Sequence, residues 1–146
     1  MEDKAAQRAV EGEKRSPKVD ISTDGENSHS SERKPLVIIE SPYSGDVAAN
    51  EAYARKCMAD SLRRGESPLL SHLLYTQVLH DTWQPDRELG IEAGLAWYRV
   101  AEKCVVYADR GMSKGMSQGV ERAQLHGVRV EARYIEQGQS VRRAAA

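Results

Sequence analysis

The stretch Pro35-Leu-Val-Ile-Ile-Glu-Ser-Pro-Tyr-Ser-Gly-Asp46 constrains this chain more than any other. Leu36 to Ile39 is an unbroken apolar run rich in β-branched side chains. A strand with one wet face alternates; an unbroken run is what a strand covered on both faces carries, as in a parallel sheet. The run ends in Ser41-Pro-Tyr-Ser-Gly-Asp46, residue types that form turns. A helical pattern starts at about Val47, with Asp46 placed to cap it. Strand, short polar loop and helix make the first half of a βαβ unit. Ligands of open α/β sheets bind beyond the carboxyl ends of the strands. Ser41, Tyr43, Ser44, Gly45 and Asp46 are therefore candidate ligand-binding residues.

The rest of the chain repeats this grammar. Residues 1–34 alternate Glu, Lys, Arg, Asp and Ser with almost no large apolar side chain, so they read as a disordered N-terminal tail. The apolar stripe of Ala48, Tyr53, Ala54, Cys57, Met58 and Leu62 predicts a helix over 47–64, which Arg63-Arg64-Gly65 ends. Ser67–Leu70 predicts a short second strand followed by Ser71-His72. Residues 73–84 predict a helical turn and a loop. Pro85 with Asp86 and Glu88 marks a helix start that runs to about Lys103. That helix is apolar on more than one face, which predicts a homo-oligomer contact. Cys104–Tyr107 predicts a buried third strand. Ser113 or Lys114 opens a helix to about Leu125, and Val128–Ile135 alternates like a half-exposed edge strand. The domain is set at 35–136, with 137–146 a flexible C-terminal tail.

Right-handed crossovers then give an open parallel sheet of about four or five strands, order 2-1-3-4, flanked by helices: a flavodoxin-like or Rossmann-like α/β fold. The strand order switches between strands one and three. The Ser41–Asp46 loop and the Asp109–Gly115 loop are expected to face each other across a crevice there.

Composition removes several function classes. The net charge of −1 over 146 residues gives no footprint for a nucleic-acid backbone. No run of about 18 apolar residues suggests a membrane span, and no apolar leader suggests secretion. Cys57 and Cys104 are isolated and read as buried reduced thiols of a cytoplasmic protein. His72 and His80 have no metal-ligand spacing with a cysteine pair, so neither metal nor cofactor is expected. The phosphate-loop signature ending in Gly-Lys-Ser/Thr is missing.

Val37-Ile-Ile-Glu-Ser-Pro-Tyr-Ser-Gly-Asp, with Asp109-Arg-Gly-Met-Ser-Lys-Gly-Met116 and Gly119-Val-Glu-Arg-Ala123, resembles a family of small phage and bacterial domains of unknown function. That family is similar to the nucleoside 2-deoxyribosyltransferases and related nucleotide N-glycosidases. The resemblance implies a small-molecule nucleoside or nucleotide as partner. It places Tyr43 in the base pocket and Asp109, as a catalytic residue, at the sugar. The deoxyribosyltransferase nucleophile is a Glu early in the following helix, and this chain has Gly119 there.

Cleaving an N-glycosidic bond builds an oxocarbenium-like cation that a nearby carboxylate must stabilise. Glu121 is a poor substitute. It lies about 140° around the helix from Met116, whereas Gly119 lies about 60° away. Glu40, Asp46, Asp81 and Asp109 are the other carboxylates in or near the crevice, and none holds the family's nucleophile position. Ser113 and the amides around Gly115 and Met116 form a helix N-terminus suited to an anion. His72 follows strand two and is a candidate acid for a leaving base. Three functions follow: nucleotide binding, N-glycosidase or deoxyribosyl transfer with another carboxylate, and non-catalytic sequestration.

Overall fold

The computed structural model describes residues 33–137. The expected tail at 1–34 therefore lies outside the described residues except for Arg33 and Lys34, and that at 137–146 except for Gln137. In order, the elements are β1 (Leu36–Glu40), α1 (Val47–Arg63), β2 (Ser67–Leu69), α2 (Ser71–Leu74), α3 (Gln84–Ala96), β3 (Lys103–Tyr107), α4 (Lys114–Leu125) and β4 (Arg129–Arg133). Single 3-10 turns follow α2 at Tyr75–Gln77 and α3 at Trp97–Arg99.

The four strands are parallel in the order β2-β1-β3-β4. This is the arrangement expected from the sequence. Register pairs Ile38 with Leu69 on one side and Cys104 on the other. Because side chains alternate across a strand, β1 divides its apolar run between two cores. Val37 and Ile39 join Val105 and Tyr107 against Tyr53, Ala54 and Cys57 of α1. Ile38 joins Cys104 and Val106 against Met116 and Ala123 of α4 and the phenol of Tyr98. The two helices thus cover opposite faces, which opens a crevice where the order switches.

Local chemistry fixes the ends. The Asp46 side chain accepts from Ala49 N at 3.1 Å and caps α1. Ser113 Oγ accepts from Met116 N at 3.2 Å and caps α4. Gly65 has φ +81, a left-handed conformation that β-carbon-bearing residues rarely adopt, and ends the α1 turn. Both cysteines are free and fully buried.

The long helix expected over 85–103 stops at Ala96. The Trp97–Arg99 turn redirects the chain so that Tyr98 enters the core while Trp97 stays at the surface. Residues 73–84 contain the 3-10 turn, and Thr76 Oγ1 donates to the His72 carbonyl at 2.7 Å.

One buried ionic cluster braces the sheet. Arg133 Nη2 and Nη1 donate to the two Glu66 carboxylate oxygens at 2.6 and 2.8 Å, and Ser61 Oγ donates to Glu66 Oε2 at 2.6 Å. The Arg133 guanidinium holds the Glu66 carboxyl down at about 2. Glu131 and Lys103 complete the cluster, so each of its four charges is paired and hydrogen-bonded.

Candidate functional site

A cleft opens at the carboxyl ends of β1 and β3. Its floor carries Ile38 and Glu40, and one wall carries Ser41, Tyr43 and Ser44 from the loop after β1. Ser71, His72, Tyr75, Thr76 and Leu79 form a second wall, with Asp81, Asp86, Arg87, Gly90, Ile91, Gly94 and Leu95 behind them. Ser113, Gly115, Met116 and Gln118 close the opposite side. Its empty space, solvent-facing mouth included, is about 940 Å³.

The loop after β1 is held by a neighbour. Asn50 Nδ2 of α1 donates to the carbonyls of Tyr43 and Ser44, both at 3.0 Å. This leaves Tyr43 facing the cleft, edge-on to the His72 ring with centroids 6.3 Å apart. His72 Nε2 and Ser41 Oγ lie 2.7 Å apart and share a hydrogen bond. Burial pushes the His72 imidazole down to about 4, so it is neutral at physiological pH. The α2 wall is fixed by close approach. A β-carbon on Gly94 of α3 would come within 2.6 Å of Ser71 Oγ.

Of the four carboxylates expected in or near the crevice, Glu40 and Asp81 line it. Glu40 points to the same face as Ile38, toward α4, because residues two apart share a face. Its Oε1 accepts from the Tyr98 hydroxyl at 2.6 Å. The Tyr98 hydroxyl also lies 3.2 Å from Cys104 Sγ. Among the described residues no cation pairs with Glu40, and Oε2 has no hydrogen-bond partner. Burial pushes the carboxyl up to about 7, against the opposing pull of the Tyr98 hydrogen bond. The same burial, with Glu40 alongside, raises the Tyr98 phenol far above its usual range.

Glu40 can lie so deep because of Gly119. A β-carbon on Gly119 would land on Glu40 Oε1 and Cδ. Gly119 is buried on α4 with Met116 and Ala123, whereas Glu121 is exposed on the far side. The space beside Gly119 on α4 is thus filled by a carboxyl from β1.

Seven residues expected in the site line this cleft: Ser41, Tyr43, Ser44, His72, Ser113, Gly115 and Met116. Gly45, Asp46 and Asp109 do not. Gly45 has φ +101 and shapes the turn, and Asp46 is occupied as a cap. Asp109 Oδ2 accepts from the Tyr53 hydroxyl at 2.6 Å, and its carboxylate accepts from the amides of Ile135 and Glu136. Burial works to raise this carboxyl, but the Tyr53 and backbone hydrogen bonds outweigh it and hold it low. Asp109 therefore ties the loop after β3 to the segment after β4. The sequence missed Arg87 and Gly94 because they lie on α3, whose placement no periodicity specified. Among the described residues no cluster of His, Cys, Asp and Glu is arranged to hold a metal. No helix among them is long and apolar enough to cross a membrane.

No curated protein matches this chain. A solved structure titled 2-desoxiribosyltransferase from Leishmania mexicana is similar at 15% identity with a TM-score of 0.46. That match covers 68% of this chain and 64% of the other, so this chain spans less than two thirds of its length. Residues 35–133 match the model of the family described as Domain of unknown function (DUF7768), and the chain belongs to that family.

Proposed function

We propose that this domain binds a nucleoside or nucleotide in the cleft between the loops after β1 and β3. The observation that carries this reading is convergence. Two tyrosines, a neutral imidazole with its serine, the half-buried Glu40 carboxyl and the amino terminus of α4 all open on one space. Tyr43 and Tyr75 offer flat apolar surface for a base, and base–aromatic stacking is worth about 1–3 kcal/mol. Ser41, His72 and Glu40 offer hydrogen bonds for a base edge or a sugar hydroxyl. The backbone N–H groups at Lys114 and Gly115, with the α4 dipole, favour an anion such as a 5′-phosphate. The ligand class rests on the sequence resemblance carried by residues 37–46 and 109–123.

Isothermal titration with nucleosides and deoxynucleoside monophosphates tests the reading. Saturable binding of at least one is expected, weakened about tenfold by Tyr43→Ala. No binding of any member, at protein concentrations well above micromolar, contradicts it. The proposal extends to assembly: Trp83 and Leu89 remain 59% and 60% exposed and are assigned to contact with a second copy of the chain.

A further inference from the structure

We infer that Glu40 is a catalytic general acid, seated in the space that Gly119 leaves open, and that it protonates the leaving base of an N-ribosyl ligand. The inference rests on the binding reading above and adds a reaction to it.

The geometry supports the role in three ways. Glu40 forms the floor of the cleft. Its Oε1 is occupied by the Tyr98 hydroxyl, so the proton of the neutral carboxyl belongs on Oε2, which has no partner among the described residues. The fit against Gly119 is tight enough that any side chain there would evict the carboxyl. A buried carboxyl with a neutral donor and no cation keeps its proton to higher pH than an exposed one. The other titratable groups on these walls are Tyr43, His72, Tyr75, Asp81, Asp86 and Arg87, with Tyr98 and Cys104 behind Glu40. The α4 face turned to Glu40 presents Met116 and Gly119, neither of which titrates. His72 is neutral and engaged with Ser41.

The step balances as a hydrolysis. The C1′–N bond breaks, its electron pair stays on the base, and the Glu40 proton moves to that base. A water oxygen bonds to C1′, and the proton it loses returns to Glu40. The products are free base and free sugar or sugar phosphate, and the carboxyl is regenerated. Tyr98 acts as a positioning residue that fixes which oxygen carries the proton.

The test is chromatographic release of free base from those deoxynucleoside monophosphates and nucleosides that bind, with affinity measured separately. Wild type is expected to release base, with a rate that falls about tenfold per pH unit above about 7. Glu40→Gln is expected to lower release at least about a hundredfold while changing ligand affinity only a few-fold. Binding without base release by wild type overturns the inference and leaves the cleft a sequestering site. Equal release by Glu40→Gln overturns it too. If Glu40→Gln does not fold, the wild-type pH profile decides, and a rate that rises through neutrality contradicts the acid role. Failure to bind any ligand fails the binding reading instead, and this inference with it.

Discussion

The Glu40 carboxyl lies where a side chain on Gly119 would begin, although the two residues come from a strand and a helix 79 positions apart in the chain. One space holds a carboxyl delivered from β1 or a side chain delivered from α4, and here β1 delivers it.

That relationship predicts a non-additive pair of substitutions. Gly119→Ala overfills the contact and is expected to destabilise the domain by about 1–3 kcal/mol. In a Glu40→Ala background the same change has room. The better helix propensity of Ala is then expected to make it neutral or stabilising by up to about 1 kcal/mol. Urea unfolding of the four proteins gives the cycle. An equal cost of Gly119→Ala in both backgrounds would mean that the two residues do not compete for space.

Glu40 also predicts a pH dependence of unusual sign for an acid. Its folded value is about 7, against 4.5 as the ordinary value. Between these the folded chain binds more protons than the unfolded one, so stability falls as pH rises through that window. Above about 7 the full cost is present, on the order of 3 kcal/mol. Glu40→Gln cannot ionise, so its stability relative to wild type is expected to rise from about pH 4.5 to about pH 8. Thermal unfolding at both ends checks this, and a constant difference contradicts it.

How much of this was readable beforehand follows from periodicity. The unbroken run at Leu36–Ile39 and the turn residues after it were enough for a parallel strand and a cleft-lining loop. Alternation was also enough to put Glu40 on the face of Ile38, and helical spacing put Gly119 on the buried face of α4. What no local pattern encodes is which helix covers which face of β1, so the meeting of the two residues was not legible. The expected role of Asp109 came from resemblance alone, and in the fold its oxygens are turned to Tyr53 and the 135–136 amides. The α3 boundary was missed because a 3-10 turn at Trp97–Arg99 keeps helical spacing while changing direction.

Glu66 and Arg133 predict the opposite pH behaviour from Glu40. Glu66 is held at about 2 in the fold, against 4.5 ordinarily, so its contribution is complete above about 4.5 and is lost as pH falls toward 2. Glu66→Gln removes one of the two carboxylates paired with the 95%-buried Arg133, leaving Glu131 at 2.8 Å, and is expected to cost about 2 kcal/mol at neutral pH. Acid unfolding curves check both statements. A Glu66→Gln protein as stable as wild type at neutral pH would contradict the structural role.

Asp109→Ala removes an acceptor used by one phenol and two amides. A loss of about 3 kcal/mol is expected, with the Ile135 and Glu136 amides exchanging faster than their neighbours. Hydrogen exchange followed by NMR distinguishes this from a general loosening, which would speed all amides alike.

Trp83 and Leu89 place large apolar surface in solvent. Light scattering is expected to give a species larger than the 16.2 kDa chain, reverting to monomer in Leu89→Glu. A monomeric wild type contradicts the assignment of this surface.

The most direct measurement follows the Glu40 side-chain carboxyl carbon by NMR as pH is varied, with Glu40→Gln used to assign the signal. A midpoint near 7, displaced when a binding nucleotide is added, is the predicted result. A midpoint near 4.5 that ignores the nucleotide would show an ordinary solvated carboxylate and contradict the account of the cleft.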